Sequence, residues 1–131
     1  MSIKEYYVGD LCYVLDDSTC DEVFSAMEDM RLIVGEFVTT KDGRKFFLGS
    51  TAHGDGRYLG SDGNEYSVDS GTIGIVAVED IRKENKFNHK HEGTLYWEQL
   101  GHVHKMPIDS FEESMSEHGS FKLGKIEIST H

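Results

Sequence analysis

The chain has 131 residues, enough for one domain with a buried core and no dependence on disulfide bonds. Its formal net charge of -11 disfavours nonspecific binding to nucleic acid, because phosphate contacts require lysine and arginine. No apolar run is long enough to span a membrane and no signal segment is evident, so we expect a cytoplasmic protein whose cysteines, Cys12 and Cys20, stay reduced.

The N-terminal third predicts a strand followed by a helix. Residues 6–15 are aromatic and β-branched, with a bend expected at Gly9-Asp10. Ser18, with Asp21 three residues later, is typical of a helix N-terminus, and apolar residues at helical spacing follow. We therefore predict one packed helix near residues 19–31.

Turn residues divide the remainder of the chain into further strands. Lys41-Asp42-Gly43 predicts the turn of a hairpin between residues 32–40 and 44–50. The other predictions are a loop at 52–64, strands at 65–68, 72–78, 101–106 and 121–129, a helical turn at 79–81 and an exposed connection at 83–93. The predicted fold class is α+β: a single compact domain of residues 1–131, dominated by antiparallel sheet in a sandwich or partly open barrel.

The acidic residues are concentrated in two segments. Residues 16–36 contain seven acidic residues and one arginine, and residues 107–121 contain four acidic residues and no lysine or arginine. One interpretation is a solvated face that favours solubility. The other is an acidic patch that docks a basic partner, with imitation of nucleic acid as one mode of docking.

Residues 53–75 contain six glycines and four acidic residues, a composition typical of turns and of loops that a ligand approaches closely. The aspartates Asp10, Asp55, Asp62 and Asp69 would suit calcium or magnesium, although the capping of turns is the more ordinary interpretation. His53, Arg57, Tyr58 and Tyr66 could line a small-molecule pocket in which Arg57 meets a phosphate or carboxylate. The plainer interpretation of these four residues is packing at a strand edge.

Two His-x-His elements, His89/His91 and His102/His104, form a second candidate metal site. Residues two apart on a strand face the same side, so each pair could present two imidazoles to zinc, nickel or copper. The alternative is that these histidines face solvent. No nucleophile motif is found, because Cys12 lies in an apolar segment and Ser70 has no evident base.

Several segments together resemble a family of small, mostly uncharacterised proteins encoded by bacteriophages and some bacteria. They are residues 8–14 (V-G-D-L-C-Y-V), 51–58 (T-A-H-G-D-G-R-Y), 61–63 (S-D-G), 66–71 (Y-S-V-D-S-G), 73–76 (I-G-I-V) and 121–130 (F-K-L-G-K-I-E-I-S-T). The chain departs from that family in having Leu11 where relatives tend to have proline, and in its longer histidine-rich stretch before Gly101. The resemblance implies no reaction or catalytic residues.

The resemblance implies a phage-type accessory protein in the cytoplasm of an infected bacterium. We expect it to act by non-enzymatic binding of a host protein, one involved in defence for example, or of a small signalling ligand. The alternative is a metal-dependent hydrolase or metal-binding protein that uses a divalent metal at the aspartates or the His-x-His pairs. A homodimer is compatible with an exposed edge strand but is not required.

Overall fold

The computed structural model describes residues 3–11, 22, 35–41, 43–52, 56–68, 72–82, 101–117 and 119–130. Within these ranges the strands are β1 (Ile3–Gly9), β2 (Glu36–Thr39), β3 (Lys45–Ser50), β4 (Gly56–Leu59), β5 (Glu65–Val68), β6 (Thr72–Ala77), β7 (His102–Pro107), β8 (Met115–Glu117), β9 (Ser120–Leu123) and β10 (Ile126–Ser129). Two short helices, α1 (Val78–Arg82) and α2 (Ile108–Glu112), follow β6 and β7.

Five strands form the first sheet, in the order β2-β3-β6-β1-β7, with every neighbouring pair antiparallel. The continuous apolar run of β6 explains its central position, since all six of its residues are buried. Tyr7 of β1 pairs with Val76, and Phe47 of β3 pairs with Ile75 on the other side. The edge strand β7 therefore reaches β6 only through β1.

The second sheet combines a three-stranded unit, β10-β9-β8, with the β4–β5 hairpin. An isolated bridge between Gly60 and Ile128 joins the two, and the Ser61 amide donates to the carbonyl of Glu127 at 2.7 Å. Inward-facing side chains of both sheets form one apolar core. Its members include Tyr6, Val8, Phe47, Ile73, Ile75 and Met106 from the first sheet and Tyr66, Val68, Phe121, Leu123, Ile126 and Ile128 from the second.

The predicted β-rich, antiparallel fold class is confirmed, and several elements lie where the sequence placed them. The β2–β3 hairpin turns at Gly43, whose φ of 92° suits glycine. Strands β5, β6 and β7 and helix α1 also match the predictions. Of the predicted helix at 19–31 only Glu22 is described; it is helical, and its carboxylate accepts from the Lys41 amide at 2.7 Å.

Two predictions about the second sheet are wrong. The predicted loop at 52–64 contains β4, because the turn at Gly60–Asn64 brings Gly56–Leu59 alongside β5. The predicted single strand at 121–129 is two strands, because Gly124 adopts a φ of 62° and reverses the chain. Both errors have one cause. In each case the sequence pattern did not distinguish a short glycine turn in a polar stretch from the strands on either side of it.

Helix α2 and strand β8 were not predicted. Helix α2 has five residues, too few to display a helical period, and its ring of Phe111 stacks on Tyr6 with centroids 5.0 Å apart. Neither described helix has the length and apolarity that crossing a membrane would require.

Candidate functional site

The turn of the β4–β5 hairpin folds the Asp62 carboxylate back over its own chain. The Gly60 amide donates to the Asn64 carbonyl at 2.9 Å, which closes the turn, and Gly63 has a φ of 84°. Asp62 accepts the Asn64 amide at 3.2 Å and the Asn64 side-chain Nδ2 at 2.8 Å. This is the usual behaviour of aspartate in tight turns, and it directs the carboxylate inward.

A polar cluster of Asp62, Asn64, Tyr66 and His104 forms between the two sheets. The Tyr66 hydroxyl donates to Asp62 Oδ2 at 2.5 Å. Nε2 of His104 lies 2.9 Å from the Tyr66 oxygen and 3.0 Å from Asp62 Oδ2. The side chains of His104 and Asp62 are only 15% and 12% exposed, and Tyr66 is fully buried. The polar cluster therefore connects edge strand β7 to the hairpin of the opposite sheet.

His102, two residues before His104 on β7, also contacts β5. Its Nε2 lies 2.9 Å from the carbonyl oxygen of Glu65, and its ring meets that of Tyr66 edge to face with centroids 4.9 Å apart. The prediction that His102 and His104 face the same side of a strand is confirmed, since both reach β5 or its turn. Their Nε2 atoms are engaged by protein atoms there.

The three titratable groups of the polar cluster have distinct protonation states. Burial raises the pKa of Tyr66, and the hydrogen bond to Asp62 raises it further, so the phenol stays protonated. Burial raises the pKa of Asp62, but hydrogen bonds from Tyr66 and Asn64 outweigh this and hold the pKa below its usual value. Burial lowers the pKa of His104 by more than the nearby Asp62 carboxylate raises it.

These states determine the direction of the hydrogen bonds. Tyr66 gives its single proton to the ionised Asp62, so the two oxygens beside His104 are both acceptors. Nε2 of the neutral His104 must therefore carry its proton, an assignment made from the network of partners. With these assignments the facing polar atoms are all paired, and the polar cluster acts as a structural connection between the sheets.

The predicted ligand residues do not all meet. Tyr66 and Asp62 belong to the polar cluster, and Tyr58 packs half-buried against the core. Arg57 directly precedes Tyr58 on β4 and points to the opposite face. Its side chain is 74% exposed, and a guanidinium nitrogen lies 3.9 Å from Glu65 Oε1. The predictions for His53, Asp55 and Asp69 fall outside the described residues.

Four of the eight residues of the predicted metal sites are described, namely Asp10, Asp62, His102 and His104. Asp10 is buried at the end of β1, Asp62 is held by the polar cluster, and His89 and His91 lie outside the described residues. In the part of the chain that the structure describes, no three histidine, cysteine or acidic side chains group as ligands of an ion. A divalent metal at the undescribed aspartates and histidines stays a prediction.

Sequence reasoning missed two features of this region. It did not pair Tyr66 with His104, although a turn of the S-D-G-N type beside one strand and a His-x-His strand were both visible. It also overlooked Leu59, which is 64% exposed on the same outer face of β4 as Arg57. A large apolar residue on an exposed strand, next to an arginine, is the signal that was available.

Comparison with known protein families, with curated proteins and with solved structures finds no match to this chain.

Proposed function

We propose that this chain is a phage-type cytoplasmic accessory protein that binds a host protein without catalysing a reaction. The observation that carries the proposal is the outer face of β4, where exposed Leu59 stands two residues from exposed Arg57. Arginine is enriched among the energetic hot spots of protein interfaces, and contact with a partner would bury the exposed apolar side chain of Leu59 beside it. We define the outer face by Arg57, Leu59 and Ser61.

The outer face has a rigid support behind it. The polar cluster fixes the turn and β5 against β7, so β4 is held in place by its pairing with β5. A surface that is ordered before binding loses less conformational entropy when a partner arrives. The polar cluster in this proposal is thus a positioning device, and the contact with the partner is made on the opposite side of β4.

The charge of the chain favours a basic partner. A net charge of -11 on 131 residues produces a negative potential that accelerates the approach of positively charged proteins. We expect this attraction to act mainly on the association rate and to weaken as salt is added. It supports a protein partner over a small anionic signalling ligand, which the same potential would repel.

Affinity capture with two matched variants tests the proposal. Leu59 and Ile3 are both 64% exposed, so Leu59→Asn and Ile3→Asn remove equally exposed apolar side chains from different surfaces. We expect one host protein to be captured equally by the wild type and Ile3→Asn and at least about tenfold less by Leu59→Asn, a change of about 1.4 kcal/mol. Quantitative mass spectrometry of the captured proteins measures the ratio.

Equal capture by both variants would remove the outer face from the proposal. Native mass spectrometry and metal analysis of the purified chain provide the second control. Stoichiometric metal together with hydrolytic activity would replace the binding function with the metal-dependent one.

A further inference from the structure

One edge of β4 carries backbone groups that face away from its partner strand. In an antiparallel pair, successive residues direct their amide and carbonyl groups alternately towards and away from the neighbour. The Gly60 amide bonds Asn64 on the hairpin side, whereas the Ser61 amide bonds Glu127 on the other side. Alternation therefore directs the amides of Arg57 and Leu59 away from β5, to the side of Ser61.

The neighbouring strand on that side is β10, but the two strands separate. Their pairing is the isolated bridge between Gly60 and Ile128, and no further pair joins β4 to β10 among the residues that the structure describes. A groove of about 420 Å³ lies at this junction and extends past the bridged pair to Leu59 and Ser129. Leu59 and Ser61 line one wall of the groove, and Glu127 and Ser129 line the other.

We propose that this groove receives an extended, basic segment of the partner protein, which adds as a strand to the outer edge of β4. This inference rests on the proposed function and specifies its mode of binding. The amides of Arg57 and Leu59, spaced by two residues, match the repeat with which an added strand forms main-chain hydrogen bonds. An apolar side chain of the segment packs beside Leu59.

Charge selects the occupant of the groove. Glu127 is the one charged residue among the described residues that line the groove, and Lys122 stands opposite it on β9, one strand further away. A basic side chain of the segment would meet the Glu127 carboxylate. A second copy of the chain is a poorer occupant, because each copy carries a net charge of -11 and the two repel each other.

The first test selects peptides without assuming the partner. A display library of random eight-residue peptides is panned against the full chain, and the selected peptides are sequenced and synthesised. We expect lysine and arginine to be enriched and acidic residues to be depleted. Hydrogen exchange with the best peptide bound should slow the Arg57 and Leu59 amides at least about tenfold, as new hydrogen bonds require.

The second test separates the backbone amide from the side chain. Leu59→Ala and Leu59→Pro both shorten the side chain, but only proline removes the amide hydrogen. Because that amide does not bond β5, proline is tolerated at this edge position. We expect Leu59→Pro to bind the selected peptide about tenfold more weakly than Leu59→Ala, a loss typical of one hydrogen bond.

Several results would overturn the inference. They are the absence of any selected peptide, an acidic consensus, or unchanged exchange of the Arg57 and Leu59 amides in the complex. A dimer in native mass spectrometry that protects the same two amides would assign the groove to a second copy. If Leu59→Asn loses the host protein while these amides stay unprotected in the complex, the proposed function survives and strand addition does not. The exchange measurement on the wild type decides the matter even if Leu59→Pro fails to fold.

Discussion

The Tyr66 hydroxyl oxygen lies 2.9 Å from Nε2 of His104, and this contact joins β5 of the β4–β5 hairpin to β7, the edge strand of the five-stranded sheet. Tyr66 belongs to a two-stranded hairpin, which has little stability by itself in water. The contact with His104, together with the carboxylate of Asp62, gives that hairpin a specific docking position on β7. The orientation of the outer face depends on this position.

Removal of the Tyr66 hydroxyl should destabilise the fold. Tyr66→Phe removes the hydroxyl that hydrogen-bonds both the largely buried Asp62 carboxylate and His104. We therefore expect a loss of about 1–3 kcal/mol in the free energy of unfolding. Urea denaturation measures the loss. Tyr6→Phe is the control, because the Tyr6 ring is buried while its hydroxyl has no hydrogen-bond partner among the described residues. Equal effects of both substitutions would contradict the role given to the polar cluster.

Stability should fall as the pH drops below the ordinary histidine value. Burial holds the pKa of His104 below its usual 6.5 in spite of Asp62, while His102 and Lys125 also lower it. The unfolded chain therefore takes up this proton at a higher pH than the folded chain does. The stabilising contribution of neutral His104 is complete above about pH 6.5 and is lost as the pH falls from that value to the folded-state pKa. Urea denaturation between pH 5 and about pH 8 should show a shallower slope for His104→Gln than for the wild type. An unchanged slope would exclude His104 as the source.

Acid adds a second loss at lower pH. The pKa of Asp62 lies below its ordinary 3.8, because the hydrogen bonds from Tyr66 and Asn64 outweigh its burial. Its stabilising contribution is present above that ordinary value and disappears as the pH falls through the folded-state pKa. Asp62→Asn should therefore make the free energy of unfolding fall less steeply with pH below the ordinary pKa of aspartate. An acid transition of the same steepness would assign the loss to other carboxylates.

Two buried serines should respond in opposite ways to the same substitution. Ser116 Oγ is buried without a hydrogen-bond partner among the described residues, whereas Ser114 Oγ accepts the Gly124 amide at 2.8 Å. Ser116→Ala should leave the free energy of unfolding unchanged or raise it by up to about 1 kcal/mol, and Ser114→Ala should lower it by about 1–3 kcal/mol. Thermal or urea unfolding of both variants gives the comparison. If Ser116→Ala lowered the free energy of unfolding more than Ser114→Ala does, the Ser116 hydroxyl would have a hydrogen-bond partner.

Gly60 should tolerate no side chain. A Cβ there would lie 2.6 Å from Asp62 Oδ1 and 2.7 Å from Tyr66 Cε1, so Gly60→Ala must displace the polar cluster. Gly43 is the control, because its Cβ would meet nothing and only its φ of 92° opposes alanine, at about 1–2 kcal/mol. We expect Gly60→Ala to lower the free energy of unfolding, measured by urea denaturation, more than Gly43→Ala does. It should also shift the His104 ring signals in NMR spectra. Unchanged ring signals would show that the cluster does not depend on this close approach.

The pattern of the sequence predicted individual strands better than their partners. Alternation and turn residues located β2, β3, β5, β6 and β7, because these elements have strong local signals. They did not locate β4, whose Gly-Arg-Tyr-Leu composition is ambiguous until β5 pairs with it. They also merged β9 with β10, since one glycine at positive φ decides that reversal.

The candidate site shows the same limit. The His-x-His pattern correctly predicted that His102 and His104 share a face, because that follows from the strand period alone. The sequence assigned those rings to solvent or to a metal, whereas the fold places both against the β4–β5 hairpin. Arg57 and Tyr66 were grouped in one pocket, but the alternation of β4 and β5 sends them to opposite faces.

The sequence by itself therefore determined the acidic charge, the antiparallel β-rich class and the faces of single strands, because these depend on composition and on neighbours a few residues apart. Only the tertiary structure decided that Asp62, Tyr66 and His104 meet, and that β4 and β10 separate beyond Gly60 to leave the groove. The first outcome depends on how the two sheets pack, with Tyr66 and His104 38 residues apart in the chain. The second depends on how the parts of the second sheet join, with Gly60 and Ile128 separated by 128 − 60 = 68 residues. Local propensity carries no information about contacts of that kind.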